Sequence, residues 1–167
     1  MNKMTGYFLR SLLFTAFALL FSCNSRDSNN SGEITLDALE LSDLSGKEID
    51  PDEFDNKTVF INFWATWCKP CIQEMPTIEN AQAHLRGKNV IFLLASNESI
   101  EQIETFKKSR RFHFRYVKIK NLEDLHIQAL PTTCIFNQQG ELVFSEAGFR
   151  MWDSPKNINL IKTHSKP

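Results

Sequence analysis

The sequence predicts an α/β fold built on a mixed β-sheet, and three observations carry that reading. Strand-like apolar runs alternate with helical patterns through the middle of the chain, and two thiols stand three residues apart where the first such strand gives way to a helix. Two late strand-like segments joined by Gln138-Gln139-Gly140 then read as a hairpin. Alternation implies parallel crossovers and the hairpin implies antiparallel pairing, so one sheet must hold both.

The elements follow in order. Thr58-Val59-Phe60-Ile61-Asn62-Phe63-Trp64 is apolar, β-branched and aromatic with one polar interruption, the composition of a strand buried on both faces. A helix should follow through Cys68, Pro70 and Cys71, with Pro70 tolerated in its first turn because that turn leaves N–H groups unpaired anyway. Pro76 lies well inside this helix, where it removes a ladder bond, so a kink is expected. Val90-Ile91-Phe92-Leu93-Leu94-Ala95 reads as a short central strand. From Ser99 to Ser109, Ile100, Ile103 and Phe106 recur at helical spacing, and Phe112, Phe114 and Tyr116 then alternate as in a strand. All six are expected in the core. Thr132 to Asn137 and Glu141 to Ser145 form the hairpin, and Ser154-Pro155 opens the last helix.

The cysteine pair carries the chemistry. Residues three apart on a helix turn have neighbouring Cβ atoms, so Cys68 and Cys71 can close and reopen a disulfide with little adjustment. Cys68 would sit at the helix N-terminus, where unpaired N–H groups and the positive dipole end stabilise a thiolate, and is the expected nucleophile. Cys71, one turn inside, is the expected resolving thiol. Lys69 either adds a cation beside the thiols or points into water. The competing reading is half of a zinc site, which needs further ligands, yet no second CxxC exists and His84, His113, His126 and His164 show no paired spacing. No metal and no cofactor is expected beyond the Cys68–Cys71 pair. Cys134, within Thr132-Thr133-Cys134-Ile135-Phe136, reads as a small core hydrophobe.

Three segments resemble the thioredoxin superfamily, and specifically its TlpA/ResA-like, membrane-tethered thiol-disulfide oxidoreductases: Leu39 to Lys47, Phe60 to Cys71, and Leu130-Pro131-Thr132-Thr133. The resemblance implies a thioredoxin-like mixed sheet with helices on both faces and an added N-terminal β-hairpin turning at Ser45-Gly46. It implies that Pro131 is cis and that Leu130 exposes backbone groups to a substrate peptide, with Trp67 beside them. It also places Glu74, three residues after Cys71, near the active site, where partial burial would let its carboxyl accept or return a proton; otherwise a glutamate there is a solvated helix residue. Asn62 stands where thioredoxin keeps a buried aspartate.

The N-terminus adds a location. Lys3 and Arg10 precede an apolar run from Leu12 to Phe21, which reads as a secretory signal peptide over residues 1–22 and is far short of the roughly 20 residues a membrane span needs. Leu20-Phe21-Ser22-Cys23 resembles a bacterial lipobox, making Cys23 the lipidated residue, although Phe21 is unusual there. Residues 23–33 are polar and without apolar periodicity, a flexible tether whose random-coil reach is about 15 to 18 Å. Residues 34–167 have the size of one domain. A formal net charge of −1 gives nucleic-acid binding no electrostatic support. The expected function is an extracytoplasmic, periplasm-facing reductant of exported protein disulfides, fed by a membrane thiol donor, with apocytochrome c as one substrate the resemblance implies. The alternatives are a disulfide oxidant or isomerase, and a non-catalytic binding lipoprotein.

Overall fold

The computed structural model describes residues 34–165; the expected signal peptide, Cys23 and the tether lie outside them. Six strands form one sheet in the order β1-β4-β3-β2-β5-β6: β1 (Leu41–Ser42), β2 (Thr58–Phe63), β3 (Val90–Ser96), β4 (Arg115–Ile119), β5 (Thr132–Phe136) and β6 (Leu142–Ala147). β2 pairs parallel with β3, and β3 with β4, whereas β5 runs antiparallel to both β2 and β6. The mixed sheet expected from alternation plus a hairpin is thus present. All six residues of β2 are buried, as its central place requires.

Strand alternation sorts side chains into two cores. Phe60, Phe92, Leu94, Tyr116 and Ile135 face three α-helices: α1 (Lys69–His84), α2 (Ile100–Ser109) and α3 (Pro155–His164). Val59, Ile61, Phe63, Leu93, Val117, Ile119, Cys134 and Phe136 face the other way, where the 3-10 helices Leu36–Ala38, Pro51–Phe54 and Leu122–Leu125 supply Leu36, Phe54, Leu122 and Leu125. Both faces are therefore covered by helix, one by α and one by short 3-10 segments. Aromatic rings bind the α face together: Trp152 meets Phe60 edge-on at 4.7 Å, and Trp64 lies 4.6 Å from Phe106.

The N-terminal hairpin is present in abbreviated form. β1 turns back through one bridge, Ser42 to Glu48, while its other edge joins β4. Asp43 organises the turn, its Oδ1 accepting from the Ser45 and Lys47 N–H groups, and Gly46 takes φ 87°, a conformation that favours glycine. Helix α1 runs as one element through Pro76. Met75, Ile78 and Ala81 are fully buried along it, and that packing holds the helix where the ring removes a backbone donor.

One expected strand starts late. β4 begins at Arg115, so Phe112 and Phe114 precede it, and the His113 N–H donates to Glu79 Oε1 of α1 at 2.8 Å instead of to β3. That contact draws the segment toward the helix, and the two phenylalanine rings stack on each other with centroids 5.5 Å apart. Of the six apolar residues expected in the core here, Ile103, Phe106, Phe114 and Tyr116 are buried, and Ile100 and Phe112 only partly. Ile103→Ala should cost about 2–5 kcal/mol, whereas Ile100→Ala on the same helix should cost under about 1 kcal/mol. Urea unfolding of both variants checks this, and equal losses would contradict the assignment.

Candidate active site

β2 ends at Phe63, and the chain leads directly into the cysteines. Trp64 N–H still pairs with Ala95 O at 3.0 Å, and Cys68 N–H donates to Ala65 O at 3.0 Å, so a turn lifts the chain off the end of β2 before α1 begins. Cys68 is the N-cap of α1; its Sγ accepts from the Cys71 N–H at 3.3 Å. The two cysteines are joined in a disulfide with Cα atoms 5.3 Å apart. Both cysteines are buried, Cys71 fully and Cys68 almost so. Lys69 is exposed.

β5 brings the second piece. The register Phe63↔Thr132 sets Pro131 beside the end of β2, and the Leu130–Pro131 peptide bond is cis. Pro131 O accepts from the Gly148 N–H at 2.7 Å, tying this corner to the loop between β6 and α3. Leu130 is half-buried, and Trp67 is 74% exposed.

Glu74 is fully buried, one turn behind Cys71. Its Oε1 accepts from Asn62 Nδ2 at 2.7 Å and its Oε2 from the Arg150 backbone N–H at 3.1 Å. Asn62 Nδ2 also donates to Thr133 Oγ1 at 2.9 Å, which uses both its protons and leaves Asn62 Oδ1 buried without a partner. Burial pushes the Glu74 carboxyl up from 4.5 to about 7, only partly opposed by the donors from Arg150 and Asn62 and by the nearby Trp152 indole, whose Nε1 lies outside hydrogen-bond geometry. Among the described residues no cation reverses this. The Arg150 guanidinium is spent on Glu146 at 2.6 Å and Asn157 Oδ1 at 2.9 Å, and stacks over Phe144.

Two exposed apolar residues of the loop tied to Pro131 were not picked out from the sequence. Phe149 and Met151, 50% and 58% exposed, are with Trp67 the large exposed hydrophobic residues of the described chain. They flank Arg150, whose backbone holds Glu74, in the loop that Gly148 ties to Pro131. In the sequence they are merely apolar residues between a strand and a helix, and nothing local marks them. Cys134 is core as expected, its Sγ donating to Ser145 Oγ at 3.5 Å while burial pushes its thiol up. Among the described residues no cluster of three or more His, Cys, Asp or Glu side chains is placed to hold a metal ion.

A mixed sheet carrying a CxxC at a helix N-cap opposite a cis-proline defines a thioredoxin-like protein. The match to known proteins narrows the class: the family model described as Redoxin covers residues 29–159, and the chain belongs to that family, as a TlpA/ResA-like member of the thioredoxin superfamily. It is 35% identical over 107 residues to the thiol-disulfide oxidoreductase ResA of Bacillus subtilis, covering 62% of this chain and 60% of that one. Against the ResA of Halalkalibacterium halodurans it is 35% identical over 112 residues, 65% and 64% of the two chains. The chain thus matches less than two thirds of the length of these relatives. The solution structure of a thiol:disulfide interchange protein from Bacteroides sp. shares the fold with a TM-score of 0.66, at 19% identity over 81% of this chain and 90% of that one.

The raised Glu74 pKa has a consequence for stability. Between pH 4.5 and about 7 the folded state holds a proton that the unfolded state has released, so stability falls as pH rises through that window. The loss totals about 3 kcal/mol above pH 7 and is absent below 4.5. Glu74→Gln should remove this slope, measured as urea-unfolding free energy against pH; an unchanged slope would mean that Glu74 does not titrate there.

Proposed function

We propose that the protein is an extracytoplasmic thiol-disulfide oxidoreductase that reduces disulfides of exported proteins, held at a membrane surface by a lipid on Cys23. The observation that carries the activity is the Cys68–Cys71 disulfide at the head of α1, backed by the buried Glu74. The relatives named thiol-disulfide oxidoreductase support it.

The chemistry follows from the geometry. In the reduced form the Cys68 thiolate, stabilised at the N-terminus of α1, attacks one sulfur of a substrate disulfide and expels the other as a thiolate. Cys71 then gives up its proton and attacks Cys68 Sγ, releasing the second substrate thiol and leaving the Cys68–Cys71 disulfide. Two electrons pass to the substrate, and a membrane thiol donor must return them. Glu74 is suited to take the Cys71 proton and give it back, because a carboxyl near pH 7 is populated in both forms at neutrality. Trp67, Phe149 and Met151 provide an apolar rim for the substrate chain, and Leu130 offers its backbone beside the cis bond. Apocytochrome c, with its paired thiols, is the substrate class the TlpA/ResA resemblance favours. Attachment through Cys23 would keep partners close to the membrane, in the cell envelope.

Cys68→Ala should abolish reduction of insulin disulfides, and Cys71→Ala should accumulate a mixed disulfide whose partner can be identified after trapping in cells. Unchanged insulin reduction by Cys68→Ala would overturn the assignment. Direction is read from the potential of the pair, where a value near or below about −200 mV fits a reductant and one near −120 mV an oxidant. Release of Cys23→Ala from membranes tests the anchor, and full retention would contradict it.

A further inference from the structure

The turn that delivers Cys68 is gripped from outside. Ala65-Thr66-Trp67-Cys68 closes on the Cys68 N–H to Ala65 O bond, with Thr66 and Trp67 at its central positions. The Thr66 N–H has no carbonyl to meet within such a turn. It donates to Glu98 Oε2 at 2.7 Å, and the Thr66 hydroxyl donates to Glu98 Oε1 at 2.7 Å, so both carboxylate oxygens hold one residue. Ser96 Oγ donates to Oε2 as well, at 3.2 Å. Glu98 is itself fastened to the sheet: Lys118 Nζ of β4 donates to the carbonyls of Asn97 at 3.1 Å and Glu98 at 2.9 Å. A continuous path of contacts therefore runs from β4, through the loop after β3, to the turn that exposes Trp67 and sets Cys68 at the head of α1.

We infer that Glu98 is a positioning residue for Cys68, acting through its two-pronged hold on Thr66; the inference rests on the thiol-disulfide reading of Cys68 given above. Its physical basis is the short range of the helix terminus, whose effect falls off within the first turn. Cys68 gains thiolate stabilisation only while its sulfur stays at the N-cap, and a turn with a free corner samples other placements. The charge of Glu98 is not what matters. In Glu98→Gln the amide oxygen still accepts the Thr66 N–H and the amide NH2 can donate to the Thr66 hydroxyl oxygen, so the hold survives. In Glu98→Ala it is lost. Both variants lack the negative charge, so the difference between them isolates the hydrogen bonds.

The test uses the full chain, reduced and carrying Cys71→Ala so that Cys68 acts alone, with the rate of iodoacetamide alkylation at the Cys68 peptide followed against pH by mass spectrometry. The Glu98→Ala profile should have its midpoint about half a pH unit above that of Glu98→Gln, with alkylation at pH 7 about threefold slower. Coincident profiles would overturn the inference. Should Glu98→Ala fail to fold, Thr66→Val and Thr66→Ser replace it: Val loses the hydroxyl prong and should shift the midpoint upward, Ser should not, and equal midpoints again overturn the inference. Alkylation needs no substrate. Failure of the protein with both Cys68 and Cys71 intact to reduce insulin would therefore sink the oxidoreductase reading, whereas coincident profiles would sink only the role of Glu98.

Discussion

The hydrogen bond from Asn62 to Glu74 joins the central strand to the redox helix, and much of the site depends on it. Asn62 belongs to the fully buried β2 and Glu74 to the buried face of α1, one turn after Cys71. Burying a carboxyl is costly unless donors meet it, and here only neutral donors do: one side-chain amide and one backbone N–H. A cation in that place would hold the carboxyl ionised at all ordinary pH. Because the Arg150 guanidinium faces Glu146 and Asn157 instead, desolvation dominates and the carboxyl moves toward neutrality. The unpaired Asn62 Oδ1 is a second cost at the same spot, of about 1–3 kcal/mol. Stability is thus given up at the position of the proposed proton carrier.

The same carboxyl links the pieces of the rim. Its Oε2 holds the Arg150 N–H, so the loop bearing Phe149 and Met151 is tied to α1, and Gly148 ties that loop to Pro131. The Thr77 hydroxyl adds another fastening, accepting the Trp152 N–H at 3.1 Å. On the opposite side, Glu98 and Lys118 brace the turn before Cys68. The cysteines, the Pro131 corner and the proposed apolar rim are thus held by side chains from several elements.

The sequence revealed the cysteines because three-residue thiol spacing is visible in a line of text, whereas Pro131 was marked only by the family resemblance, since a proline after an apolar residue is ordinarily trans. It revealed the strand order only in part. β2 and β3 announced themselves as unbroken apolar runs, whereas the start of β4 was obscured, since Phe112 and Phe114 alternate like strand residues and only the contact of His113 with Glu79 withdraws them. Glu74 showed its position but not its burial, because a lone acidic residue on a helix does not say which face meets the sheet. Its partner Asn62 lies twelve residues away, and Glu98 lies thirty-two from Thr66. Contacts of that range arise from the crossovers, and neither periodicity nor composition encodes them. Phe149 and Met151 escaped for the same reason, as their meaning comes from the neighbours the fold gives them.

Everything at this site turns on a buried carboxyl of near-neutral pKa one turn behind the redox cysteines. A carbon-13 NMR titration of the Glu74 side-chain carboxyl in the oxidised protein, assigned by its loss in Glu74→Gln, measures that pKa. A midpoint near 7 is the result expected, and one near 4.5, the ordinary value, would contradict the account.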